Sequence, residues 1–133
     1  MEAEISNLFS FEGTKVYQQS RQLVKHVYLL MESFPAKEQY ALCSQMRRSV
    51  TSVSSNIAEG LSRFSIKEQM HFIEIAFGSL MEIYCQLQLS ADLDYISLNK
   101  VEELKELITE IAKQLSGLHR YKLTQINNNS GKS

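Results

Sequence analysis

The stretch Val101-Glu102-Glu103-Leu104-Lys105-Glu106-Leu107-Ile108-Thr109-Glu110-Ile111-Ala112-Lys113-Gln114-Leu115-Ser116-Gly117-Leu118 decides the fold class. Its Val101, Leu104, Ile108, Ile111, Leu115 and Leu118 recur at alternating steps of three and four, the spacing that lines up one stripe of an α-helix. Glu102, Glu103, Lys105, Glu106, Glu110 and Lys113 fall on the opposite side, where charges of both signs remain in water. One amphipathic helix cannot hide its stripe alone, so it needs partners. The pattern predicts this helix over about 98–122.

The same period recurs three times upstream. Ser65-Ile66-Lys67-Glu68 has the S-x-x-E form of a capping box, and a helix is expected from there to about Asp92. Its inner stripe is Ile73, Ala76, Phe77, Leu80, Tyr84, Leu87 and Ala91; Phe72 and Ile75 lie off that stripe, so this helix is apolar on more than one side. Before it, Leu42, Met46, Val50, Val53 and Ile57 mark a helix over about 38–60, with Gly60 placed to end it in a left-handed cap. Its centre, Ser49-Val50-Thr51-Ser52-Val53-Ser54-Ser55, is a poor helix former because hydroxyls compete for backbone hydrogen bonds. Packing must hold it helical. Val16, Leu23, Val27, Leu30, Met31 and Phe34 predict a first helix over about 14–34, closed by Pro35, the only proline. Four helices joined by short loops give an all-α fold, an antiparallel up-down-up-down four-helix bundle over residues 1–126. Asn127 to Ser133 has nothing apolar to bury and is expected to be disordered.

Composition narrows the function classes. The chain has 133 residues, 44% hydrophobic and 22% charged, with 14 Lys and Arg against 15 Asp and Glu for a net charge of −1. That balance fits one folded domain and excludes a protein held on nucleic acid by bulk charge. The acidic start Met1-Glu2-Ala3-Glu4-Ile5 lacks the pattern of a signal peptide, and the longest apolar run, Val27 to Met31, is far too short for a membrane span. A cytoplasmic location without membrane attachment is expected. Cys43 and Cys85 match neither a zinc nor a redox spacing and read as small apolar core residues.

Motifs for chemistry are scarce. Glu68-Gln69-Met70-His71 supplies the Glu-x-x-His spacing of di-iron bundles once, whereas such a centre needs two copies, so no metal or other cofactor is expected. Nucleophile elbows, phosphate loops and zinc-protease motifs are missing, and no catalytic residue or small-molecule substrate is nominated. Arg47, Arg48, Arg63 and Lys67 oppose only Glu59 between residues 45 and 67, and Arg120, Lys122 and Lys132 follow Leu118 with no acid among them. Both groups read either as solvated helix ends or as phosphate contacts, with the first four the candidate nucleic-acid residues, and no aromatic is read as alternating with them in the manner of a single-strand binder. Gly78 sits inside a helix at a cost of about 1 kcal/mol relative to alanine, which asks for close approach of another helix. Asn56, Glu59, Gly60, Gly78 and Glu82 are expected to form a polar, closely packed cluster between the second and third helices.

The central blocks carry a family resemblance. Arg47-Arg48, Ser55-Asn56-Ile57-Ala58-Glu59-Gly60, Ser65-x-x-Glu68 and Ala76-Phe77-Gly78-Ser79-Leu80-Met81-Glu82 together resemble the bacterial four helix bundle protein family. That family is also known through proteins encoded in intervening sequences of the large ribosomal RNA gene. Phe77 stands where leucine is usual. The resemblance covers about residues 11–122 and implies a protomer that assembles into a ring-like homopentamer. It also extends to accessory proteins of diversity-generating retroelements, which bind nucleic acid and partner a reverse transcriptase. Their surfaces are markedly basic and this chain is slightly acidic. Phe72 and Ile75 suit an oligomer interface on their own account. The resulting expectation is a non-enzymatic homo-oligomer, a pentamer associated with RNA or DNA or with a protein that processes them. The competing reading is a ring-shaped scaffold for a protein partner with no nucleic-acid role.

Overall fold

The computed structural model describes residues 8–130. Its helices are α1 (Lys15–Met31), α2 (Leu42–Ser62), α3 (Ile66–Asp92) and α4 (Leu98–Ser130), with short 3-10 turns at Ser10–Gly13 and Ala36–Glu38. Close backbone approaches run α1 to α2, α2 to α3, α3 to α4 and α4 back to α1, and among the described residues none joins a diagonal pair. That cyclic order with short loops is the antiparallel up-down-up-down bundle read from the sequence. Every expected inner-stripe residue of α4 up to Leu115 is buried, as are Leu23, Val27, Met46, Val50, Val53, Ile57, Ile73, Leu80, Ile83 and Leu87 from the other three helices.

Boundaries shift for local reasons. α1 stops at Met31, and Glu32 to Phe34 continue as single turns, so Phe34 still reaches the core and its ring lies 5.3 Å from that of Tyr95. α2 begins at Leu42 rather than 38, because Pro35 opens a 3-10 turn over the residues between. The cap of α3 is as read: Ser65 Oγ accepts a hydrogen bond from the Glu68 amide at 3.1 Å. α3 ends in a Schellman arrangement, with the Tyr95 amide on the Ser90 carbonyl (2.9 Å) and the Asp94 amide on that of Ala91 (3.0 Å). Asp94 takes the left-handed position, φ 62°, that glycine usually fills.

Four expectations are corrected. Phe77, expected on the inner stripe of α3, is exposed, and Ile83 fills the core instead. Gly60 is not a left-handed cap, since α2 continues through it to Ser62. A Cβ there would come 3.1 Å from Ile73 Cγ1 and 3.2 Å from the Gln69 carbonyl oxygen, so the glycine lets the end of α2 press against α3. Cys43 is buried, and burial raises its thiol pKa, but Cys85 is exposed rather than a core residue. Asn127 to Ser130 are helical as the last turns of α4, and residues 131–133 lie outside the described residues. A helix already nucleated and anchored needs no burial to add a polar turn.

The serine-rich centre of α2 is held as the sequence demands. Thr51, Ser55 and Ser62 return hydrogen bonds to carbonyls one turn back, which satisfies their hydroxyls inside the helix. Others cross to neighbours: Ser54 Oγ to Ser20 Oγ of α1 at 3.0 Å, Ser49 Oγ to Gln86 Oε1 of α3 at 2.6 Å, and Ser52 Oγ with Ser79 Oγ at 2.8 Å. Small side chains allow close helix approach, and each hydroxyl finds a partner there. No buried polar side-chain atom among the described residues lacks one.

Candidate functional site

The polar cluster expected between α2 and α3 exists, but with different members. Its interhelical bonds belong to Ser49, Ser52, Ser79 and Gln86. Asn56 joins through its amide, which donates to Ser52 Oγ at 2.9 Å. Glu82 is exposed and touches the edge only, accepting from Gln86 Nε2 at 3.4 Å. Glu59 faces solvent and pairs with Arg63 at 2.9 Å, while Gly78 meets nothing within 4 Å. A hydrogen-bonded network of neutral groups of this kind fixes helix register.

The four cations picked from the sequence do not form one patch. Arg47 and Arg48 lie in the second turn of α2, whereas Arg63 follows its last residue, about 22 Å away along the axis. Arg47 is half-buried, and its guanidinium donates to the Gln39 carbonyl at 2.6 Å, bracing the α1–α2 connection. Arg63 and Lys67 sit at the opposite end with the α2–α3 loop. There Arg63 stacks 4.6 Å above the Phe72 ring and is neutralised by Glu59. Phe72 is thereby half-covered within its own chain.

What the α2–α3 end gains is the distal part of α4. Gln69 Nε2 donates to the Arg63 carbonyl at 2.6 Å, and Gln69 Oε1 accepts from Lys122 Nζ at 2.8 Å. One glutamine thus ties the loop to α4, and partial burial of Lys122 lowers its pKa. Arg120 and Lys67 are exposed and form no ion pair among the described residues. Phe64 is 87% exposed and Tyr121 61% exposed at the same end. The sequence signal for this grouping was the pair Arg63-Phe64 and the triplet Arg120-Tyr121-Lys122, which join only when α3 and α4 run antiparallel.

A cleft of about 440 Å³ opens beside this end between α3 and α4, floored by Ile73, Phe77, Leu115 and Leu123. His119 Nε2 lies 2.8 Å from Glu74 Oε1 at its rim, and no hydroxyl or thiol among the described residues is hydrogen-bonded to that imidazole. The pair clasps α3 to α4. No group of three His, Cys, Asp or Glu among the described residues is placed to hold a metal ion, and no helix is long and apolar enough to cross a membrane.

The outer face of α3 is the other uncovered surface. Ile75, Phe77, Met81, Cys85 and Leu89 are all exposed there, with Gly78 among them. Of the two residues expected at an oligomer interface, Ile75 lies on this face and Phe72 has turned to Arg63.

Comparisons with known proteins fit this architecture. No curated protein matches. A protein of unknown function from the S23 ribosomal protein family of Bacteroides thetaiotaomicron has a crystal structure similar to this one, with a TM-score of 0.71 and 26% identity. The match covers 78% of this chain and 97% of that one. Residues 12–117, which contain all four central blocks and most of every helix, match the family described as 23S rRNA-intervening sequence protein. The chain belongs to the 23S rRNA-intervening sequence protein family.

Proposed function

We propose that this protein is a non-enzymatic, cytoplasmic homo-oligomer, a pentamer of four-helix protomers, that serves as an accessory factor on RNA or DNA. One observation carries the self-association: a glycine in the middle of α3 with open space around it, inside an exposed apolar face. Gly78 weakens its helix by about 1 kcal/mol, and nothing in its own chain uses the space it leaves. A helix from a second copy, packed across Gly78 and flanked by Ile75, Phe77, Met81 and Leu89, would use it. Gly78 lies in the same sequence block that carries the family resemblance, which supports a shared assembly surface. The nucleic-acid role is supported more indirectly, by the family's link to ribosomal RNA and by the unpaired cations at the α2–α3 end.

Native mass spectrometry of the untagged protein, purified gently at low salt, tests both parts. A mass near five times the 15.3 kDa of one chain is the expected result, with additional mass removed by nuclease. A bare pentamer favours the protein-scaffold reading over the accessory factor. A 15.3 kDa monomer refutes the ring.

A further inference from the structure

We infer that the α2–α3 end together with the distal turns of α4 is a binding site for single-stranded nucleic acid, with bases stacked on Phe64 and Tyr121 and phosphates on Lys67, Arg120 and Lys122. This inference rests on the accessory-factor reading and gives it a site and a strand preference. Phe64 and Tyr121 leave most of their surface in water, and each adjoins a cation in sequence: Phe64 follows Arg63, and Tyr121 lies between Arg120 and Lys122. Gln69 links the two segments directly, bonding the Arg63 carbonyl on one side and the Lys122 ammonium on the other. The segments that carry the two aromatics are therefore tied together at one end of the bundle.

Charge decides the strand class. The net charge of −1 leaves no excess positive field to hold a duplex, whose affinity comes chiefly from phosphate neutralisation. Acids at this end are also close: Glu59 is occupied by Arg63, Glu74 by His119, and Glu68 is exposed in the first turn of α3. With Lys67 and Arg120 free and Lys122 already donating to Gln69, stacking has to supply much of the binding, and only unpaired bases expose their faces to a protein aromatic. At the far end Tyr40 is 96% exposed and Arg48 is exposed, but Arg47 is engaged with the Gln39 carbonyl.

Fluorescence anisotropy with a labelled oligouridylate of about 12 nucleotides, set against a blunt duplex of equal length at low salt, tests the site. The wild-type protein should bind the strand at least about tenfold more tightly than the duplex. Phe64→Ala combined with Tyr121→Ala should weaken strand binding about tenfold or more with duplex binding unchanged, and the Phe64→Tyr, Tyr121→Phe pair should restore it. Lys67→Gln with Arg120→Gln should flatten the salt dependence of strand binding by about 1.4 in log–log slope. All four side chains are exposed, and circular dichroism confirms that the variants keep their helices. Equal affinity for strand and duplex, or strand affinity untouched by the double aromatic variant, overturns the stacking site while leaving the accessory role standing. Loss confined to Arg47→Glu, Arg48→Glu overturns it by moving the site to the other end. Absence of any binding by the wild type at low salt overturns the site and the accessory role together, and leaves the α3 assembly surface untouched.

Discussion

The outer faces of α3 and α4 are equally open to solvent within one protomer, yet they are built from opposite chemistry. α4 presents Glu102, Glu103, Lys105, Glu106, Glu110 and Lys113, all exposed, with Lys100 and Glu103 paired at 3.2 Å. α3 presents Ile75, Phe77, Gly78, Met81, Cys85 and Leu89, and between Gln69 and Ala91 its formal charges are only Glu74 and Glu82. A surface helix gains nothing from an apolar outer face while it stays in water, because each exposed apolar group forgoes the stabilisation that burial would bring. The difference separates a face finished as surface from the face proposed above to meet a second copy. It also separates two glycines: Gly60 is explained by contacts inside the chain, and Gly78 is not.

The sharpest way to break the contrast is to put a charge on each face. Met81→Lys is expected to weaken self-association at least about 100-fold and leave a helical monomer, because an unpaired charge in an apolar interface is strongly disfavoured. Glu106→Lys on α4 should leave the assembly intact. Light scattering coupled to size exclusion reads both masses, and an equal effect from the two variants would erase the distinction between the faces. The glycines come next. Gly60→Ala should destabilise the protein by about 1–3 kcal/mol in a denaturant titration, since the added methyl meets Ile73 and the backbone of Gln69. Gly78→Ala should raise the stability of the isolated protomer by up to about 1 kcal/mol and weaken assembly. A Gly78→Ala variant that assembles normally would remove the reason given for the glycine.

The cysteines sharpen the same comparison without mutation. Cys85 on the α3 face should be alkylated quickly in dilute monomer and at least about tenfold more slowly in the assembly, whereas Cys43 should stay slow in both. Burial removes Cys43 from reagent and raises its pKa, with Glu38 adding to the rise and Arg47 opposing it, so it holds less thiolate. Mass spectrometry of each peptide resolves the two rates, and no protection of Cys85 would count against the α3 interface. The smallest expected change is on α4: Glu103→Ala removes an exposed ion pair and should alter stability by less than about 0.5 kcal/mol. A larger loss would mean that the charged face contributes more than solvation.

Much of the bundle was legible because burial writes a period into the chain. The seam of α4, the Ser65 cap and the break at Pro35 each depend on neighbours within one or two turns, and each lies where the pattern placed it. Errors fell where the deciding partner is distant in sequence. Gly60 resembles a cap until Ile73 and Gln69 are brought against it, and Cys85 resembles a core residue until α3 is rotated about its axis. Glu59 lies three residues from Asn56 and Glu82 four from Gly78, but Gln86, four residues beyond Glu82, has the geometry to reach Ser49.

The candidate surfaces divide in the same way. Sequence alone determined that there are four helices, the buried stripe of α4 and most of the stripe of the others, that α3 carries more apolar residues than one core needs, and which residues are basic. Only the tertiary structure decided that Arg47 and Arg63 stand at opposite ends of α2, that Phe72 folds under Arg63, and that Gln69 joins Phe64's loop to Tyr121's helix. The reason is physical. A helix repeats every 3.6 residues, so its buried stripe can be read locally, whereas the grouping of side chains from different helices depends on how antiparallel elements are offset and turned against one another.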